Sequence, residues 1–511
     1  MRRIPLPLAA LAAGAASAFA FQPVGWWPLM ILALAVMCEL AARAGALKRA
    51  LLIGWAFGLG QFIVGLNWIA KAFTYQAAMP AWLGWIAVVL VSLYLAVYPA
   101  MAVGLAWRFG EKNRLALVLA LAGGWAVTEW LRATMFTGFA WNPIAVTLVD
   151  TPLVSAGTFI GTYGLSLLAA AAGGALWLLG RRQWREGIAL GAVLVLALLD
   201  PAPSRSDEHR QSAAKPIRII QPNIGQQDKW RPGFEDESYR RLEDLTIRGT
   251  PTARLIFWPE AAVTNPLEDG RQGADRLTEA ERLRATRTLG SGDVLLTGGL
   301  SFTSSDGERV DGATNSVYVL EPLGQIAGRY DKAHLVPYGE YLPMRPVLSA
   351  IGLSRLAPGD IDFADGPGPR TIRLPGDWGR VGFQLCYEII FSGEVVDRAN
   401  RPDFIFNPSN DAWFGRWGPP QHLAQARLRA VEEGLPVIRS TPTGISALID
   451  VNGRIIRSIP WQQAGSIDAQ LPDAGEPTLF ARFGNIIPLM LGFLMLLTAI
   501  ALDRRARYRA I

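Results

Sequence analysis

Three short segments of this 511-residue chain place reactive side chains at the ends of apolar runs. Leu255-Ile256-Phe257-Trp258-Pro259-Glu260 reads as a buried strand that ends on an acid, the place where ligands bind in α/β sheets. Tyr330-Asp331-Lys332-Ala333-His334-Leu335-Val336-Pro337-Tyr338-Gly339-Glu340-Tyr341 supplies an ammonium and a second acid. Gly382-Phe383-Gln384-Leu385-Cys386-Tyr387-Glu388 delivers a thiol to a turn flanked by a carboxylate. A thiol becomes a good nucleophile when a carboxylate takes its proton and a cation favours the thiolate. When the thiolate attacks a carbonyl, an ammonium and backbone N–H groups stabilise the oxyanion. Glu260, Lys332 and Cys386 therefore suffice for acyl transfer with no metal and no cofactor. His334 and His422 are alternative bases for a cysteine–histidine dyad. The outer part of the chain has one Cys and three His without ligand spacing, which argues against zinc. Each residue also has a plainer reading: a surface carboxylate, a solvated lysine, a buried cysteine.

The elements that must position these groups read as an α/β layered domain. Ile217–Ile220, Leu255–Trp258, Val294–Thr297, Ser316–Leu320, Val381–Leu385, Phe404–Phe406 and Ile445–Ile449 read as strands, and residues 237–248, 276–288 and 420–433 as helices. At about 270 residues such a domain builds its core without disulfides. The two cysteines, Cys38 and Cys386, fall in different compartments by the topology below and do not pair.

The remainder of the chain is a different material. Residues 1–200 hold 13 Lys/Arg and 6 Asp/Glu, while the other 311 residues hold 73 of the 92 charged side chains. Apolar stretches near 4–21, 25–42, 51–70, 82–106, 115–133, 155–179, 187–200 and 484–502 are read as membrane helices, since about 20 apolar residues span roughly 30 Å of hydrocarbon. The first, after Met1-Arg2-Arg3, also fits a signal peptide, but a second apolar stretch follows it directly. With the N-terminus inside, 15 Lys/Arg lie on the inner side and only Lys71 and Arg132 in the short outer loops. The division expected is a seven-helix membrane domain over 1–200, a linker over 201–216, an outer catalytic domain over 217–480, an eighth helix over 484–502 and a basic tail over 503–511. A net charge of +6 and a pI near 9.4 would suggest a nucleic-acid partner. Residues 201–502 instead carry 32 Lys/Arg against 36 Asp/Glu, so the basic excess lies with the membrane helices and no nucleic acid is expected.

The order Glu260, Lys332, Cys386, in the settings Phe-Trp-Pro-Glu, Asp-Lys-Ala-His-Leu-Val-Pro-Tyr-Gly-Glu-Tyr and Leu-Cys-Tyr-Glu, resembles the nitrilase superfamily of carbon–nitrogen hydrolases over residues 217–475. With the apolar helices around it, the whole chain resembles the apolipoprotein N-acyltransferase family. Thr137-Gly138-Phe139-Ala140-Trp141-Asn142-Pro143 is similar to an outer loop of that family, and Tyr338 stands where many relatives have Phe. The resemblance implies a helical transmembrane bundle of about eight spans plus a nitrilase-like αββα sandwich. It implies a phospholipid acyl donor, a diacylated apolipoprotein acceptor and a thioester on the cysteine, with the outer domain periplasmic at a bacterial inner membrane. It makes Glu260 the base, Lys332 the oxyanion partner and Cys386 the nucleophile. Glu340 would orient Lys332, and Tyr387 and Glu388 would shape the turn. Trp230 would line the substrate entrance; apart from the resemblance, Trp413, Phe414 and the apolar stretch Pro343–Leu356 read as lipid contacts, or Trp413 and Phe414 as closing the domain core. Action as a monomer is expected. Glu129 and Arg132 are expected to pair with each other. Two rival readings are a membrane-tethered amidase with the same three residues and a transporter, which would need charges within its spans.

Overall fold

The computed structural model describes residues 5–75, 80–196, 215–229, 231–247, 252–350, 356 and 361–509. Among these, five helices are long and apolar enough to cross a membrane: Leu47–Gly65, Leu83–Gly110, Arg114–Thr134, Pro152–Gly180 and Ile486–Arg509. Leu6–Ala20 and Pro28–Ala42 are shorter apolar helices. The stretch read as 187–200 holds the helix Trp184–Leu196, and its last four residues lie outside the described residues, as does the linker up to residue 214. Without a hydrophobic force between helices in lipid, close backbone approach joins them. The C-terminal helix is tied in this way, because a Cβ on Gly123 would lie 2.4 Å from the Gly492 carbonyl oxygen.

The polar part is a sandwich of two sheets. One runs Gly465–Gln470, Pro216–Gln221, Leu255–Phe257, Val294–Thr303, Gly312–Leu320, Ile326–Asp331, with Pro266–Asp269 paired to Val294–Thr303. The other runs Ile455–Ile459, Ser446–Ile449, Val437–Ser440, Phe404–Pro408, Arg380–Phe383, Thr371–Arg373. The central strands of each sheet are parallel and buried on both faces, which explains their near-continuous apolar runs. Alternation assigns the faces: Ile217, Ile219, Leu255 and Phe257 meet Phe404, Phe406 and Ile438 between the sheets. Ile220, Ile256 and Trp258 point the other way onto Tyr239 and Leu242 of the helix Glu235–Thr246.

Six strands escape the sequence reading: Pro266–Asp269, Ile326–Asp331, Thr371–Arg373, Val437–Ser440, Ile455–Ile459 and Gly465–Gln470. Four of them, Ile326–Asp331, Thr371–Arg373, Ile455–Ile459 and Gly465–Gln470, have residues open to solvent, so their runs are broken by Gly and charged residues. The helices expected over 237–248, 276–288 and 420–433 begin one or two residues earlier, at Glu235, Asp275 and Gly418.

The second helical layer, Gly418–Glu433, is buried on both sides. One face covers Ile405, Val437 and Ile449 of the second sheet, and the same apolar cluster continues into the membrane helices. Polar side chains on this helix reach across. Trp141 Nε1 donates to Gln421 Oε1 at 2.8 Å, Gln421 Nε2 donates to the Gly65 carbonyl at 3.3 Å, and Thr162 donates through N and Oγ1 to Glu432 at 2.6 and 2.7 Å. The loop that carries Trp141 is gripped at both ends by one buried pair: Arg132 donates to the Trp141 carbonyl at 2.9 Å, Glu129 accepts from Ile144 N at 2.9 Å, and the two charges stand 3.7 Å apart. Trp141→Ala is expected to lower stability by about 3–5 kcal/mol, seen as a lower thermal unfolding midpoint in detergent. Trp82→Ala, at a ring that is 62% exposed, is expected to leave the midpoint unchanged.

Candidate active site

Glu260 stands in the turn beyond the strand Leu255–Phe257. That turn lies on the neighbouring strand: Gly298 N donates to the Pro259 carbonyl at 3.2 Å, and a Cβ on Gly298 would come 2.4 Å from Ala261 N and 2.7 Å from Glu260 Cα. Only glycine permits that approach. Lys332 follows the strand Ile326–Asp331 directly. Its Nζ lies 2.8 Å from Glu340 Oε2 and 3.9 Å from Glu260 Oε1. Asn315, on the adjacent strand, donates to both Glu260 and Glu340, at 2.8 and 2.9 Å. Lys229 donates to the Glu260 carbonyl at 3.0 Å. All five side chains are buried.

Cys386 emerges past the strand Arg380–Phe383 with φ of +53°, a left-handed conformation uncommon for a residue with a Cβ. The neighbouring acid holds it there. Glu388 accepts from Leu385 N at 2.7 Å, Ala333 N at 2.7 Å, His334 N at 3.0 Å and Tyr330 Oη at 2.9 Å, which binds the cysteine turn to the lysine segment. The thiol also accepts from the Asn410 backbone N–H. It is close enough to Glu260 and Lys332 for both charges to act on it. Burial and the Glu260 carboxylate push the Cys386 thiol well above its ordinary value, against the pull of the Lys332 ammonium. Burial works against the Lys332 charge too, but the Glu340 and Glu260 carboxylates outweigh it and hold the ammonium above the usual lysine range. Burial brings Lys229 down to about 8, opposed by Glu260. The buried thiol thus shares its surroundings with the Glu260 carboxyl and the Lys332 and Lys229 side chains.

The structure thus brings Glu260, Lys332, Glu340 and Cys386 together, with Glu388 bracing the turn. Tyr387 turns toward the membrane part and donates to the Gly138 carbonyl at 3.4 Å. The two imidazoles are engaged with backbone oxygens. His334 Nε2 is 2.8 Å from the Thr137 carbonyl and its ring stacks on Phe391, while His422 Nε2 is 3.0 Å from the Cys386 carbonyl and Nδ1 is 2.9 Å from Asp411. Asp411 pairs with the fully buried Arg439 at 2.6 Å. Phe414 is clasped in an aromatic cluster with Trp68, Trp141 and His422, and Trp413 sits edge-on to Tyr75. Trp230 and residues 351–355 of the apolar stretch Pro343–Leu356 lie outside the described residues; Met344 and Val347 from that stretch are exposed. A cleft of about 770 Å³ opens beside this cluster, between Asn67–Tyr75 of the membrane part and Gln226, Ala412 and Phe414 of the sandwich. Among the described residues, no cluster of His, Cys, Asp or Glu is arranged to hold a metal ion.

Asn315, Lys229, Asn410 and the Asp411–Arg439 pair beside His422 are missed by the sequence reading. A polar residue on a buried strand, such as Asn315, is the one local signal that marks any of them.

Comparison with known proteins places this geometry. Residues 13–175 match the model of the apolipoprotein N-acyltransferase N-terminal domain, and residues 226–476 match that of carbon–nitrogen hydrolases. A Saccharomyces cerevisiae crystal structure from branch 10 of the nitrilase superfamily aligns over 54% of this chain and 94% of its own, at 17% identity and a TM-score of 0.36. The sandwich and its helices define a membrane-borne enzyme of the carbon–nitrogen hydrolase class. An apolipoprotein N-acyltransferase of Bradyrhizobium diazoefficiens is 36% identical over 516 residues, covering 96% of this chain and 94% of that protein. One of Rhodopseudomonas palustris is 34% identical over 500 residues, covering 93% and 91%. The chain belongs to the apolipoprotein N-acyltransferase family.

The charge arrangement has a checkable consequence. Lys332→Met removes the cation that favours the thiolate and is expected to slow iodoacetamide labelling of Cys386 at every pH. Wild-type labelling should keep rising into the alkaline range without a plateau near neutral pH, the sign required by a thiol pushed upward.

Proposed function

We propose that the chain transfers an acyl chain, from the sn-1 position of phosphatidylethanolamine, to the α-amino group of the diacylglyceryl-cysteine that begins an apolipoprotein. Glu260 takes the Cys386 proton, and the thiolate attacks the ester carbonyl. The oxyanion faces the Lys332 ammonium, which Glu340 holds in place. Collapse breaks the ester C–O bond, the departing glycerol oxygen receives the proton from Glu260, and a thioester remains on Cys386. The amine then attacks the thioester, Glu260 accepts its proton, and the restored thiol is released as the amide forms. The same carboxylate serves both halves, as a ping-pong sequence requires.

The observation that supports this reading most is the placement of a water-poor thiol, acid and ammonium directly against the membrane helices, through Tyr387 on the Gly138 carbonyl and His334 on the Thr137 carbonyl. An acyl chain drawn into water loses about 0.8 kcal/mol per CH₂. The reacting thiol therefore belongs where the chain can stay in lipid. A small-amide hydrolase would gain nothing from that junction. The basic asymmetry of the loops supports a catalytic domain on the outer side of the inner membrane.

Wild-type protein incubated with labelled phosphatidylethanolamine is expected to carry an acyl adduct that neutral hydroxylamine removes and a diacylated lipopeptide discharges. Cys386→Ser should lose turnover by about 10³-fold or more. An adduct that resists hydroxylamine would contradict the thioester.

A further inference from the structure

The cleft beside the aromatic cluster has a charge pattern that the acid, lysine and thiol do not use. Lys71, at the end of the membrane-side helix Trp68–Ala72, and Arg416, beyond the turn Asp411–Phe414, both line it. The Lys71 stem lies on Gly415, where a Cβ would come 3.2 Å from Lys71 Cγ, so cations from the two halves of the molecule are neighbours. Among the described residues neither has a carboxylate partner. Asp228, the acid of the lining, faces Arg231 at 3.5 Å, and the sequence has no acid between Glu39 and Glu111. With Asp228 turned to Arg231, the two cations make this side of the cleft positive, and a positive wall concentrates anions. The amide of Gln227 adds a neutral donor, and Trp68 and Tyr75 are the aromatics expected at a membrane–water boundary.

We propose that Lys71 and Arg416 bind the phosphate of the acyl donor's headgroup, a phosphodiester at the bilayer surface. This rests on the proposed function, which makes a phospholipid the donor. The segment that ends at Arg416 begins at Asn410, whose N–H meets the Cys386 thiol. Gln226, in the cleft wall, accepts from Asn410 Nδ2 at 3.0 Å. Phosphate at one end and reacting carbonyl at the other reproduce the order of these groups in a phospholipid. The donor is then selected by its phosphate, and neutral glycerolipids are passed over.

The test uses the full-length protein in mixed micelles, with single-turnover thioester formation from phosphatidylethanolamine and from a diacylglycerol with the same acyl chains. Lys71→Ala combined with Arg416→Ala is expected to slow the phospholipid reaction by roughly tenfold and to leave the diacylglycerol reaction within about twofold. Discharge of the preformed thioester to a diacylated lipopeptide should be unchanged, and Lys71→Arg should retain the phospholipid rate. Equal loss with both donors, or no loss with either, overturns the phosphate site while leaving the proposed function standing. A wild type that forms no thioester removes both. If millimolar inorganic phosphate blocks the phospholipid reaction in wild type as fully as the double substitution does, the site belongs to the free anion and the lipid assignment falls.

Discussion

The buried ammonium of Lys332 is the constraint around which the catalytic half is built. An ion removed from water costs several kcal/mol unless its partners are fixed, and Lys332 is 1% exposed. Glu340 and Glu260 supply the opposite charge, and Asn315 bridges the two carboxylates so that neither can swing away. Each partner arrives from a different part of the fold: a turn pressed onto Gly298, a strand interior, and the loop after the lysine itself. The sandwich is the scaffold that makes four separated residues converge. Glu388 repeats the logic in neutral form, using four donors to lock the cysteine turn onto the lysine segment.

The same economy governs the junction with the membrane helices. A hydrolase-type sandwich ordinarily needs its second helical layer only as a cover. Here Gly418–Glu433 is also the floor on which the membrane bundle stands, which explains why Gln421, His422, Arg429 and Glu432 are all buried. Three of its polar side chains are matched across the junction: Gln421 to Trp141, His422 to Cys386 and Asp411, Glu432 to Thr162. Because His422 and Trp141 touch each other, with ring centroids 5.1 Å apart, the membrane loop is two contacts from the backbone of the nucleophile candidate. Movement of either half would disturb the thiol.

In the proposed reaction, a thiol pushed upward by burial stays unreactive until its acyl donor is in place. The thiolate forms only when the proton has somewhere to go, and in the proposed reaction Glu260 accepts it. In the proposed reaction the dry surroundings also protect the thioester, since Glu260, Lys332 and Cys386 are all buried.

Residues that are neighbours in sequence and have one physical reading were legible without coordinates. The apolar stretches announce helices because lipid tolerates little else, and Phe-Trp-Pro-Glu, the lysine segment and Leu-Cys-Tyr-Glu announce thiol chemistry because those side chains have few other uses together. The central strands were legible for the same reason, being apolar on both faces. What only the tertiary structure decided is whatever depends on distant segments meeting. Asn315, Lys229 and Asn410 are unremarkable in their local sequence and become part of the site through strand order and the left-handed turn at Cys386. Phe414 reads equally as a lipid contact or a core aromatic, and only the structure sets it against Trp68 and Trp141; the histidines, alternative bases in the sequence, both contact backbone oxygens. Local pattern records the solvent each segment must face, whereas partners are chosen by packing, and packing exists only once the two halves of the chain have closed on one another.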